Sequence, residues 1–227
     1  MKKIKRLFTR AMSCFLAAIL ALSVCGWSVA AAVSPRTEQA EFEVCMYIVS
    51  YDAGEMVSSL DFTGHAFLLF ENLGTVSVTI GHMPLPAGKS ITVGTFGNRE
   101  AHDGVWYNIE AYGGQGISQV NCALGYTLSE EQADIVSQTI NANDYWSLSF
   151  NCAGFAKEVW NSVATGTYQV TGWTPALLCS SIQSKANHIN YLYIPVRGES
   201  AIARQTPTSY VYDSSGKYGE SSSLSAG

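Results

Sequence analysis

A change in apolar periodicity partway along the chain limits its fold more than any other feature. Between Glu41 and Ala111 the apolar residues fall into short runs interrupted by glycine and proline. From Ser129 onward they recur at helical spacing behind capping residues. Strands first and helices afterwards is the order of an α+β domain, in which a sheet buries one face against helices. Glu41 to Val49 puts Phe42, Val44, Met46 and Ile48 on one side of an expected strand. A polar loop over 52–64 leads into a second strand, His65 to Phe70. The turn Glu71–Gly74 then joins it to a third, Thr75 to Ile80, with Gly74 suited to the left-handed position of a short hairpin. Residues 83–104 hold Pro84, Pro86, Gly88, Gly94, Gly97 and Gly104 and read as irregular. Val105 to Ala111 reads as another strand.

Three helices are expected in the second half. Ser129-Glu130-Glu131-Gln132 is a capping box and opens a helix to about Asn141. Cys152 to about Ala164 follows, capped by Asn151 or a neighbour, with Phe155, Val159, Trp160 and Val163 on one face. Thr174-Pro175 opens the third, to about Lys185, with proline in the first turn where it is tolerated. Asn190 to Val196 is expected as a closing strand. The reading is therefore an antiparallel sheet of about five strands against helices over residues 41–197.

The ends have a different composition. Residues 1–30 combine a basic start (Lys2, Lys3, Lys5, Arg6, Arg10), an apolar run from Ala11 to Val24 and small residues at Ser28-Val29-Ala30, the layout of a secretory signal peptide. The apolar run is short against the ~20 residues of a membrane span, so no stable membrane insertion is expected after signal cleavage. Residues 31–40 read as a linker. Residues 198–227, rich in Ser, Gly and Tyr, read as a disordered tail. Losing the signal changes the formal net charge from −5 to −10. That balance argues against nucleic acid as a partner, whose binding depends on Lys and Arg neutralising phosphates. It suits a secreted, extracytoplasmic protein.

Four cysteines remain after the signal: Cys45, Cys122, Cys152 and Cys179. They match no zinc spacing. In an oxidising compartment they allow two disulfides, or one bridge among Cys45, Cys122 and Cys179 with Cys152 left as a thiol. The surroundings of Cys152 favour the second arrangement. Asn151-Cys152-Ala153-Gly154-Phe155-Ala156 puts a thiol in the first turn of a helix, where unpaired amides and the macrodipole favour its anion. Ala153 and Gly154 leave room for a substrate carbonyl, and the Cys152 amide is placed to donate to a developing oxyanion.

The base must come from another element, and the histidines are His65, His82, His102 and His188. His65 is preferred: it opens an apolar strand directly after Gly64. A thiol and an imidazole so presented are the minimal parts of an activated nucleophile. The expected hairpin suggests where a third, orienting group would lie. A two-residue turn puts His65 opposite Ile80 with His82 as its diagonal neighbour, whereas a three-residue turn brings Ser77 and Thr79 to that face. His82 is the better chemical partner. His188 with Asn190 is a rival pair placed below His65, and His102-Asp103 reads as a surface loop.

These motifs are familiar. Gly64-His65-Ala66-Phe67-Leu68-Leu69-Phe70 resembles the histidine strand of NlpC-like cell-wall endopeptidases and their papain-like relatives. Asn151-Cys152-Ala153-Gly154-Phe155-Ala156 resembles the cysteine helix of the circularly permuted branch, which includes the lecithin–retinol acyltransferase group. His65 preceding Cys152 is the order that permutation produces. The resemblance implies a permuted papain-like thiol hydrolase with Cys152 as nucleophile, His65 as base and a third polar residue on the next strand. It implies a peptide or peptidoglycan-type amide as substrate and no cofactor. The same parts would serve a lipid-directed acyltransferase or thioesterase. A non-catalytic secreted domain would instead lock Cys152 in a disulfide or bury it away from any histidine.

Overall fold

In the computed structural model the described residues are 41–51, 64–97, 101–113 and 122–213. The signal and linker expectations over 1–40, most of the loop 52–64 and the far end of the tail lie outside them. Nine strands and four α-helices are found among the described residues. The first strand, β1 (Val44–Tyr51), has the expected alternation: Val44, Met46 and Ile48 point into the main core. It lies between β2 (His65–Asn72) and β7 (Ala123–Leu128) and is antiparallel to both. The full order of the seven-stranded sheet is β7-β1-β2-β5-β6-β8-β9, with β5 spanning Ser90–Phe96, β6 Gly104–Tyr107, β8 Ala203–Thr206 and β9 Ser209–Tyr212.

The expected hairpin after His65 is not formed, because the chain leaves the sheet at Asn72. The Asn72 amide donates to the carbonyls of Val76 (2.7 Å) and Leu85 (3.0 Å), and its Oδ1 accepts from Gly74 N–H (3.1 Å). Those bonds turn the chain into a separate two-stranded sheet of β3 (Val78–Ile80) and β4 (Met83–Leu85). The neighbour of β2 is instead β5, inside the stretch read as irregular. Ser90-Ile91-Thr92-Val93-Gly94-Thr95-Phe96 is buried along its whole length. A strand covered on both faces loses the alternation that would reveal it.

Two further corrections concern the end of the chain. Asn190 to Val196 alternates in burial like a strand, with Leu192 and Ile194 covered and Tyr191 and Tyr193 exposed. It is nevertheless an extended strap across the second face of the sheet, joined to the sheet edge by an Ala123–Ile189 bridge. Residues 203–212, read as disordered tail, form the β8–β9 hairpin, and β8 pairs with β6. Arg204, Gln205 and Thr206 follow Ala203 in β8, and this polar run hides the edge from a hydropathy reading although Gln205 is buried.

The helices form close to where their caps place them. In α2 (Glu130–Ala142) both arms of the Ser129–Gln132 capping box are present. α3 (Cys152–Asn161) is capped by Asn151, and α4 (Pro175–Gln183) by Thr174. Phe155, Val159 and Trp160 of α3 are fully buried against β1 and β2, each contributing roughly 1.5–3 kcal/mol by burial. A Cys122–Cys179 disulfide, Cα–Cα 5.7 Å, ties the start of β7 to α4. Cys45 and Cys152 are free thiols.

Candidate active site

The site gathers where β2 begins, α3 begins and a short helix, α1 (Ile109–Gly113), follows β6. His65 is the first residue of β2, and Gly64 before it takes φ 89°, a backbone conformation that side chains with a Cβ disfavour. The imidazole is buried. Phe96 lies at a ring-centroid distance of 4.7 Å, Phe67 at 5.9 Å and Tyr51, its cross-strand neighbour, at 6.2 Å. Aromatic walls on several sides restrict the ring to a narrow range of orientations.

Cys152 occupies the first position of α3. The Asn151 side chain accepts from the amides of Ala153 (3.0 Å) and Gly154 (3.2 Å), so the cap does not use the Cys152 amide. The sulfur accepts from the backbone amides of Ala66 and Ala153 and is hydrogen-bonded to the His65 side chain. Burial alone would push the thiol up. The His65 charge, its hydrogen bond and the two amides outweigh that and hold it below its ordinary value. Burial likewise disfavours protonated His65, but the facing thiolate, then Glu110, raise it to about 9. Both shifts act in favour of a thiolate facing an imidazolium.

The third group is Glu110. Its Oε1 lies 3.1 Å from His65 Nε2, and its Oε2 accepts from the Thr92 hydroxyl at 2.7 Å. Both members of the ion pair are almost wholly shielded from water, at 4% and 3% side-chain exposure. With Nε2 facing Glu110, Nδ1 is the nitrogen left for the thiol. Gly94 makes the approach possible, since a Cβ there would collide with Glu110 Oε1 and crowd His65 Nε2 at 3.3 Å. The Tyr51 phenol interacts with both Glu110 and Cys152. Burial first, then those two negative charges, keep it protonated.

Cys152 and His65 are therefore brought together, and His82 is not part of the cluster. It sits in the β3–β4 turn, where its amide donates to the Tyr107 hydroxyl. Ser77 and Thr79 go with the same small sheet, bonded to Leu85 and Ser137. His188 turns back onto the Lys185 carbonyl after α4. His102 pairs with Asp144 at 2.7 Å instead of lying free on the surface. Glu110 was not anticipated, because Val105 to Ala111 reads as one strand. Two signals in that run mark it: a lone acidic residue among apolar ones, and Asn108, which tolerates the left-handed turn that ends β6 (φ 64°).

Apolar side chains stand exposed at the start of α3. Leu148 is 85% exposed four residues before Cys152, and Trp173, 67% exposed, accepts from the Asn151 amide through its carbonyl. Among the described residues no helix is long and apolar enough to cross a membrane. No family model, curated protein or solved structure matches the chain. The described residues form a mixed α+β fold with an antiparallel main sheet and four α-helices.

Proposed function

We propose that this protein is an exported cysteine hydrolase of the permuted papain-like, NlpC-like kind, acting on amide bonds of peptides, those of cell-wall peptides foremost. One observation carries the reading: a buried imidazole held between the thiol at a helix start and a buried carboxylate. In this mechanism the Cys152 thiolate attacks the substrate carbonyl carbon, forming the C–S bond. The oxyanion is met by the Cys152 amide, which the Asn151 cap leaves unused. Protonated His65 gives its proton to the departing amine as the C–N bond breaks. Neutral His65 then takes a proton from water, whose oxygen attacks the thioester and releases the acid and the thiolate. Glu110 orients the ring and stabilises its charged form through both half-reactions.

A second reading draws support from Leu148 and Trp173. Exposed apolar side chains at the nucleophile suit an acyl group carried on a lipid, transferred or hydrolysed through the same thioester. Purified protein incubated with peptidoglycan fragments, and separately with phospholipid vesicles, decides between them by mass spectrometry. New amine termini from the fragments, abolished by Cys152→Ala in a folded variant, are expected. Acyl-chain release alone would favour the lipid reading. Hydrolysis retained by Cys152→Ala would end both.

A further inference from the structure

The turn that delivers Glu110 is held by an unusual residue. Asn108 takes φ 64°, and it is buried between β6 and α1. Its side chain spans two elements, with Oδ1 accepting from the Thr92 amide (3.3 Å) and Nδ2 donating to the Ala201 carbonyl (2.9 Å). Its own amide donates to the Thr92 carbonyl at 3.0 Å, so both backbone groups of Thr92 are engaged by Asn108. Thr92 in turn donates its hydroxyl to Glu110 Oε2, and the Asn108 carbonyl accepts from Tyr112 within α1. Glycine would adopt this φ at no steric cost, so the need for φ alone does not explain an asparagine here. What asparagine adds is the clamp to Thr92 on one side and to the turn Glu199–Ala201 on the other.

We infer that Asn108, acting through Thr92, is the positioning residue for Glu110, and that the C-terminal segment around Ala201 belongs to the site's support. The inference rests on the thiolate–imidazolium reading above. The clamp holds the Glu110 carboxylate at hydrogen-bond distance from His65 Nε2, and this favours the protonated ring. Among the described residues, titratable groups facing that ring are Cys152 from α3, Glu110 from α1 and Tyr51 from β1. Loosening Asn108 moves Glu110.

The test is Asn108→Gly, which keeps the backbone conformation and removes both side-chain bonds. The histidine ring signals are titrated by NMR, and iodoacetamide labelling of Cys152 is followed with the free thiol Cys45 as internal reference. In the wild type His65 is expected to lose its proton near pH 9. In Asn108→Gly that midpoint is expected to fall by about one unit, in the same direction as in Glu110→Gln. kcat is expected to fall about tenfold with KM little changed. Thr92→Val, which leaves the turn intact, is expected to lower the midpoint by less, and it serves as the reading if Asn108→Gly does not fold. A lower Tm with an unmoved His65 midpoint would make Asn108 merely structural and overturn the inference. A wild-type Cys152 that labels no faster than Cys45 would instead overturn the ion pair itself, so the two failures are distinguishable.

Discussion

Two histidine–carboxylate pairs are seen among the described residues, and the tighter one is not at the thiol. His102 and Asp144 approach to 2.7 Å, His65 and Glu110 to 3.1 Å. The surroundings differ more than the distances. His102 and Asp144 are 20% and 14% exposed, whereas the other pair is almost wholly covered. Asp144 also accepts from the Val105 amide at 2.9 Å, and the His102 carbonyl accepts from the Trp106 ring. Those bonds anchor the segment after α2 to the start of β6. His65 has one nitrogen on a carboxylate and its ring bonded to a sulfur, and the imidazole and carboxylate are both shielded from bulk solvent. On the proposed reading, the His102–Asp144 contact is a structural fastening, whereas the His65–Glu110 contact serves chemistry because a thiol faces the same ring.

The largest expected effect separates the pairs directly. His65→Ala should lower kcat/KM roughly 1000-fold, within the range for losing a general acid–base. It should also slow Cys152 alkylation at neutral pH to the rate of Cys45. His102→Ala should leave the alkylation rate within about twofold and cost about 1 kcal/mol of stability, read from urea unfolding. Comparable activity losses in the two variants would erase the distinction drawn here.

The two halves of the site were unequally legible in the sequence. Cys152 and His65 announce themselves locally: an asparagine cap before a thiol, and a glycine before a histidine that opens an apolar strand. Such cues lie within six residues and report helix starts and strand starts directly. Glu110 depends on contacts that a linear reading does not supply. Its place follows from the break at Asn108, from a fully covered β5 that lacks alternation, and from a hairpin some ninety residues downstream that pairs with β6. His82 stands away from the cluster for a related reason. The turn that would set its register is diverted by Asn72 into another sheet, and a different strand partner moves every facing residue. The helices were the easier part, because each cap is a short-range signal, whereas the sheet order is set by long-range pairing.

A smaller effect is expected from the carboxylates. Glu110→Gln keeps shape and hydrogen bonding but removes the charge that favours the imidazolium, and kcat should fall about 10- to 100-fold with KM nearly constant. Gly94→Ala should produce a loss of the same kind without touching a polar group, because its Cβ would push into Glu110 Oε1. Asp144→Asn should leave kcat within about threefold while lowering Tm. Single-turnover kinetics with a chromogenic amide would read all three. Equal sensitivity to Glu110→Gln and Asp144→Asn would mean that burial is not what distinguishes the pairs.

The finest distinction lies in pH dependence. His65 is raised from 6.5 to about 9, so its proton is retained through neutral pH and lost only above about 9. Taken alone, that group stabilises the fold fully below 6.5, and the contribution is lost as pH rises through 9. Cys152 is depressed below 9.0, and its contribution runs the other way: present above the unfolded value and lost as pH falls through the depressed one. The two contributions therefore carry opposite slopes, His65 gaining stability by keeping its proton and Cys152 by losing its own. On the His65 side, kcat/KM should turn down only near pH 9. Glu110→Gln should bring that downturn to lower pH, while His102→Ala should leave it in place. A downturn near pH 7 in the wild type would show that His65 titrates as an ordinary imidazole, and the contrast between the two histidines would then have no chemical basis.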